Sequence, residues 1–238
     1  MVHFHHAASP SDLAVDLARF VAGRLRASLA QRGQALLVVS GGSTPVPFFE
    51  ALSGESLDWP HVAVTLADER WLPADHADSN ERLVRQHLLQ SHAASARFVP
   101  LYNGAATPEQ GQPPVEAALA TLPWPADAVI LGMGGDGHTA SLFPQASGLL
   151  TMPAQADGEA GGVLCAPVPA PAAPNVPVPR LTLTPHALLQ ASQLIIHITG
   201  QAKLTLLRQA MQAGPVADLP IRLAVQQTRV PCAVFHSP

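Results

Sequence analysis

Ala35-Leu36-Leu37-Val38-Val39-Ser40-Gly41-Gly42-Ser43-Thr44-Pro45 is the stretch that decides the fold. Its first half is an apolar run without alternation, the pattern of a strand buried on both faces. Its second half is a turn of glycines and hydroxyl side chains, and a short helical stretch from Val46 to Leu52 follows. Upstream, Ser9-Pro10-Ser11-Asp12 reads as a helix start: a cap, a first-turn proline and an acid facing the positive helix end. Leu13, Leu17, Phe20, Val21, Leu25 and Leu29 then fall on one helical stripe, and Gly33 is a natural stop.

Downstream the same rhythm returns. Val62 to Ala67 reads as a strand, followed by a polar loop and a helix from about Asn80 to Leu89. Ala128 to Leu131 is another strand; it enters a glycine loop, with a helix start expected near Thr139. Leu194 to Thr199 is a further strand, then Gly200, then a helix through Met211. Repetition of this kind predicts an α/β fold with a largely parallel sheet and helices on both faces. Ligands in such folds sit at the carboxyl ends of the strands. Pro167, Pro169, Pro171, Pro174, Pro177 and Pro179 interrupt the rhythm and predict an extended segment. Strand-like residues resume at once at Arg180-Leu181-Thr182-Leu183, so we read a surface excursion within one domain spanning 1–238, rather than a linker.

Composition narrows the function classes. The chain has 238 residues, 47% hydrophobic and 13% charged, with a net charge of −4 and no basic block. Electrostatics therefore give no support for nucleic-acid binding, and an anionic ligand needs a local cluster of the few basic residues. Cys165 and Cys232 form neither a disulfide framework nor a zinc spacing. No apolar run is long enough to span a membrane, and the N-terminus lacks the pattern of a secretory signal. The expected compartment is the cytosol. His3, His5 and His6 are expected to lie on a flexible terminus rather than at a metal site.

The chemistry is concentrated in loops that follow buried strands. In Ser40 to Pro45, Gly41 and Gly42 let the backbone approach a ligand, and Ser43 and Thr44 add hydroxyls ahead of a helix N-terminus. That is a candidate phosphate cradle, although neither a Walker loop nor a dinucleotide fingerprint, and a plain tight turn is the alternative. Ala67-Asp68-Glu69-Arg70-Trp71 places three charges where ligands bind; Arg70 suits phosphate or carboxylate oxygens, and a surface ion-pair cluster is the alternative. In Gly132-Met133-Gly134-Gly135-Asp136-Gly137-His138-Thr139-Ala140-Ser141-Leu142-Phe143-Pro144 the glycine loop ends at His138, a histidine suited to general-base work, with Asp136 two residues before it. A structural histidine is the alternative there, and Thr139 and Ser141 are candidate helix caps. Arg180 and Lys203 are candidate anion contacts or, more simply, solvated surface charges. No spacing reads as a metal site, and there is no nucleophile elbow.

In the order SGGSTP, ADERWLP, LGMGGDGHTASLFP, PRLTLT and TGQAK, the chain resembles the 6-phosphogluconolactonase family from about Ser11 onward. The Asp78-Ser79-Asn80 triplet also fits. The resemblance implies a three-layer α/β/α, Rossmann-like fold akin to glucosamine-6-phosphate deaminase. It implies hydrolysis of 6-phosphogluconolactone in the oxidative pentose phosphate pathway without a cofactor. Carried over by position, Gly41, Gly42, Ser43 and Thr44 would line the phosphate site, and Arg70, Arg180 and Lys203 would bind the anion. His138 would be the base. Independently of the resemblance, we expect Asp136 to orient its imidazole, and Asp68 and Asp136 are the next catalytic candidates. The partner expected is a small phosphorylated sugar lactone, met by a monomer or small homo-oligomer. The deaminase is the nearest rival, but its loop carries a glutamate where this chain has Phe143, and a tyrosine where it has Arg70. A non-catalytic sugar-phosphate sensor is a second rival; such regulators carry an N-terminal helix-turn-helix segment, and only about ten residues precede the first helix here. Phe235-His236-Ser237-Pro238 departs from the family's closing acidic residue.

Overall fold

The computed structural model describes residues 2–146, 162–173 and 175–238. Its strands are β1 (Val2–His6), β2 (Ala35–Val39), β3 (Val62–Leu66), β4 (Asp68–Arg70), β5 (Arg97–Val99), β6 (Ala128–Leu131), β7 (Cys165–Val168), β8 (Arg180–Leu183), β9 (Leu194–Thr199) and β10 (Cys232–Ser237). Its helices are α1 (Pro10–Arg32), α2 (Val46–Ser53), α3 (Asn80–His87), α4 (Pro108–Leu119), α5 (Pro185–Leu189), α6 (Gln201–Ala210) and α7 (Arg222–Val225).

Among the described residues, seven strands form a parallel sheet in the order β1-β10-β9-β6-β2-β3-β5. Helices cover both of its faces. The central strands are buried throughout, which is why they read as unbroken apolar runs. A smaller antiparallel sheet, β4-β8-β7, is tied to the large one where the Leu183 N–H donates to the Ala67 carbonyl at 2.8 Å.

Helix α1 forms as its sequence predicts. The Ser9 hydroxyl accepts the Asp12 N–H at 3.1 Å, Pro10 opens the first turn, and Gly33 closes the helix in the left-handed region, its N–H on Leu29 O at 2.9 Å. Leu13, Leu17, Val21 and Leu25 are buried against the sheet and α2. Each such leucine contributes about 1.5–3 kcal/mol of burial.

Three expectations need correction. No helix begins near Thr139. The Thr139 hydroxyl donates back to Gly132 O at 2.8 Å, Ala140 takes a φ of 49°, and the chain turns through an isolated bridge between Thr139 and Leu142. Residues 147–161 lie outside the described residues. The proline run is not all excursion, because Pro167 sits within β7, in register with Leu181; β7 is an edge strand, where the missing N–H costs no ladder bond. Pro174 lies outside the described residues. The N-terminus is no loose tail: β1 pairs with β10 from Val2↔Cys232 to His6↔His236, and that pairing also gives the last strand its place. Among the described residues, no helix is long and apolar enough to cross a membrane.

Candidate functional site

From β2 the chain moves outward through β3 to β5, and from the neighbouring β6 it moves the other way through β9 to β10. The carboxyl ends of β2 and β6 therefore flank a topological switch point, where loops diverge and leave a crevice. A cavity of about 360 Å³ opens there. Gly41, Gly42, Ser43, Thr44, Asp68, Arg70, His138, Arg180 and Lys203 all line it. Asp136 is not on its wall; it stands behind His138.

The loop after β2 is anchored by the Ser40 hydroxyl, which donates to Ile130 O at 2.9 Å. Gly42 takes a φ of 93°, which a side chain would strain. The turn delivers Pro45 to the start of α2, and no side chain caps that helix. Within its first turn the Val46 N–H bonds Ser43 O at 3.4 Å and Pro47 has no N–H, so the ligand-facing groups of this segment are those of the Gly41–Thr44 loop itself.

His138 is held from both sides. Its Nδ1 lies 2.6 Å from Asp136 Oδ1, and the same oxygen accepts the His138 backbone N–H at 3.1 Å. An acceptor on Nδ1 places the proton there and leaves the Nε2 lone pair free. Burial raises the Asp136 pKa, but the His138 amide and ring prevail and hold it below its ordinary value. The ring rests on Gly134, where a Cβ would come within 2.2 Å of it. The Phe143 ring centroid is 4.9 Å from that of His138, and the Arg180 guanidinium stands over the other ring at 5.5 Å. Phe143 therefore packs the imidazole and offers it no proton partner.

The charged triplet after β3 is a short strand, so its side chains alternate. Asp68 and Arg70 face the cavity. Glu69, wholly buried, accepts backbone N–H groups of Arg70 (2.8 Å), Asn80 (2.8 Å) and Glu81 (2.7 Å). Burial pushes its carboxyl up to about 7 against the pull of those amides. The Asp68 carboxylate accepts from Ser141 Oγ at 2.6 Å and lies 3.7 Å from Arg180 Nη1. Ser141 is thus spent on Asp68 rather than on a helix cap. These bonds suit Asp68 to holding Arg180 more than to taking a proton.

Register pairs Arg70 directly with Arg180 across β4 and β8. Arg70 Nη1 donates to Asp78 O at 2.6 Å and Arg180 Nη2 to Val176 O at 3.1 Å, while both Nε groups are buried without a partner. Burial lowers the pKa of Arg180 and of Lys203. Two guanidiniums and an ammonium around one carboxylate make this cavity locally positive on a chain of net charge −4. Asn80, Met133, Asn175 and His197 also line it, and sequence reasoning singled out none of them as a site residue. The available signal for His197 was a polar ring inside an aliphatic strand. Among the described residues, no three His, Cys, Asp or Glu side chains cluster as a metal site.

Fold and cavity together define a doubly wound α/β protein with a crevice lined by Arg70, Arg180 and Lys203 at its switch point. The family model described as glucosamine-6-phosphate isomerases/6-phosphogluconolactonase matches residues 8–232. A 6-phosphogluconolactonase of Pseudomonas aeruginosa is 50% identical over 216 residues, 90% of this chain and 87% of that protein. One from Rhizobium meliloti is 41% identical over 99% of both chains. The crystal structure of a 6-phosphogluconolactonase from Shewanella baltica superposes with a TM-score of 0.92 at 41% identity, over 100% of this chain and 98% of that one. The chain belongs to the glucosamine-6-phosphate isomerase/6-phosphogluconolactonase family.

Proposed function

We propose that this protein hydrolyses 6-phosphogluconolactone to 6-phosphogluconate, in the oxidative pentose phosphate pathway, with His138 as general base. The observation that carries the reading is His138, backed by Asp136, standing at the wall of the same cavity as the cationic cluster. The phosphate occupies the Gly41–Thr44 loop with Lys203 and the arginines, which positions the lactone carbonyl near His138. Nε2 takes a proton from water as its oxygen attacks the carbonyl carbon. Arg70 or backbone N–H groups stabilise the oxyanion. The carbonyl–ring oxygen bond then breaks, and His138 returns the proton to the ring oxygen. A lactone is an activated ester, so positioning and base catalysis suffice.

Residues 1–238 act as one domain on this reading, since the small sheet is bonded to the large one. Two buried, unpaired cysteines suit a cytosolic setting. The partner is the small lactone itself, taken by a monomer or small homo-oligomer. Phe143 beside His138 disfavours the deaminase reading, because a hydrocarbon ring cannot share a proton.

A lactonase assay on freshly generated 6-phosphogluconolactone, corrected for spontaneous opening, tests the proposal. Unphosphorylated gluconolactone is expected to be a poor substrate, and Arg70→Ala to weaken binding by about 1.5–3 kcal/mol, the value of one charge-assisted hydrogen bond. Equal kcat/KM for the two lactones, or ammonia release from glucosamine 6-phosphate in place of lactone opening, would overturn it.

A further inference from the structure

His197 is the anomalous residue of β9, a polar ring in Leu194-Ile195-Ile196-His197-Ile198-Thr199. It is 4% exposed and lines the cavity, and its Nδ1 is buried with no hydrogen-bond partner. Its ring meets Phe48 of α2 edge-on at 6.1 Å, so it lies beside the helix that follows the Gly41–Thr44 loop. Six residues on, Lys203 occupies the first turn of α6, whose Gly200 cap supplies no side-chain hydrogen bond. His197 thus stands between the starts of two helices that no side chain caps.

We infer that His197 is a substrate-binding residue, an imidazole N–H that donates to a phosphate oxygen held between the Gly41–Thr44 loop and Lys203. The inference deepens the proposed function and rests on its placement of the phosphate. A buried polar group without a partner is costly, and an aliphatic side chain would fill this strand position without that cost. A phosphate oxygen removes the cost when the site is occupied. Burial first, and then the charge of Lys203, lower the ring's pKa to about 4, so it is neutral at physiological pH. A phosphate dianion presents only acceptors, and a neutral imidazole always has one N–H to give. The subsite thereby gains a donor beside Lys203 without a further cation that would repel it.

The test compares wild type with His197→Phe, which keeps an aromatic ring against Phe48, and His197→Asn, which keeps an N–H. His197→Phe is expected to raise KM for 6-phosphogluconolactone and Kd for 6-phosphogluconate by about 10- to 100-fold, with kcat little changed. The kcat/KM for unphosphorylated gluconolactone should not move, and His197→Asn should recover part of the loss. Inorganic phosphate should shift the ¹⁵N resonances of His197 in the wild type. Unchanged phosphate affinity in a folded His197→Phe protein overturns the inference, as does an equal loss for both lactones, which marks a packing role. Failure of the functional reading shows differently, as absent lactonase activity in the wild type; the phosphate titration then still decides the role of His197.

Discussion

At the scale of the residue, the fate of one proton decides the mechanism. His138→Ala is expected to fold normally and lose about 10²–10⁴-fold in kcat, with much less effect on product affinity. Asp136 adds a test with a defined sign. Its carboxylate is held below its ordinary pKa and is therefore charged across the neutral range. In Asp136→Asn the ring loses its orienting carboxylate, so kcat should drop while KM changes little. An unchanged kcat would show that Asp136 does not orient the base. His138 was legible in the sequence because a histidine on a glycine loop after a buried strand has few other uses. Why Gly134 must be glycine was not, since the imidazole that rests on it arrives by a turn. Nor was His197, whose neighbours on β9 read simply as core.

At the scale of the element, β4 shows why three adjacent charges have separate duties. Asp68 and Arg70 turn to the cavity, and Glu69 turns to the start of α3, where it gathers amides that the helix leaves unpaired. A three-residue strand is too short to show its alternation in sequence, so the triplet reads as one cluster. Glu69→Gln replaces an acceptor with an NH₂ group facing N–H donors and should cost about 1–3 kcal/mol. The Glu69 carboxyl rises from 4.5 to about 7 on folding, so the folded state keeps a proton that the unfolded chain releases. This stabilisation is full below 4.5 and is lost as pH rises through about 7. The melting-temperature gap between wild type and Glu69→Gln should therefore narrow from pH 4.5 to about pH 7; a widening gap would contradict the assignment. Helix α1, with one strong period, and the apolar runs of β2, β3, β6 and β9 were legible. Helix α4 was hidden by Pro113 and Pro114 inside it, β7 by Pro167, and β1 by three histidines in five residues. In each case tertiary pairing overrides a poor local signal.

At the scale of the whole molecule, the site belongs to the sheet's topology rather than to any one segment. Residues 41–44, 70, 138, 180 and 203 meet only because β2 and β6 diverge from a shared boundary, so sequence motifs could name the wall but not its shape. The same topology sorts the two ends of the chain. Strands β1 and β10 run side by side in the same direction, with Val2 opposite Cys232 and Ala7 N–H on His236 O at 3.1 Å. Anything joined ahead of Val2 leaves from the sheet edge opposite the crevice, while the far terminus emerges beside Gly200, whose N–H bonds Ser237 O at 2.9 Å. The two ends are therefore unequal handles for attaching the protein to a bead or a fusion partner. Tethering at the front should leave KM for the phosphorylated lactone unchanged. A bulky partner at the back should raise it by crowding the approach to Lys203, and equal KM values for the two attachments would show that the crevice is entered from elsewhere.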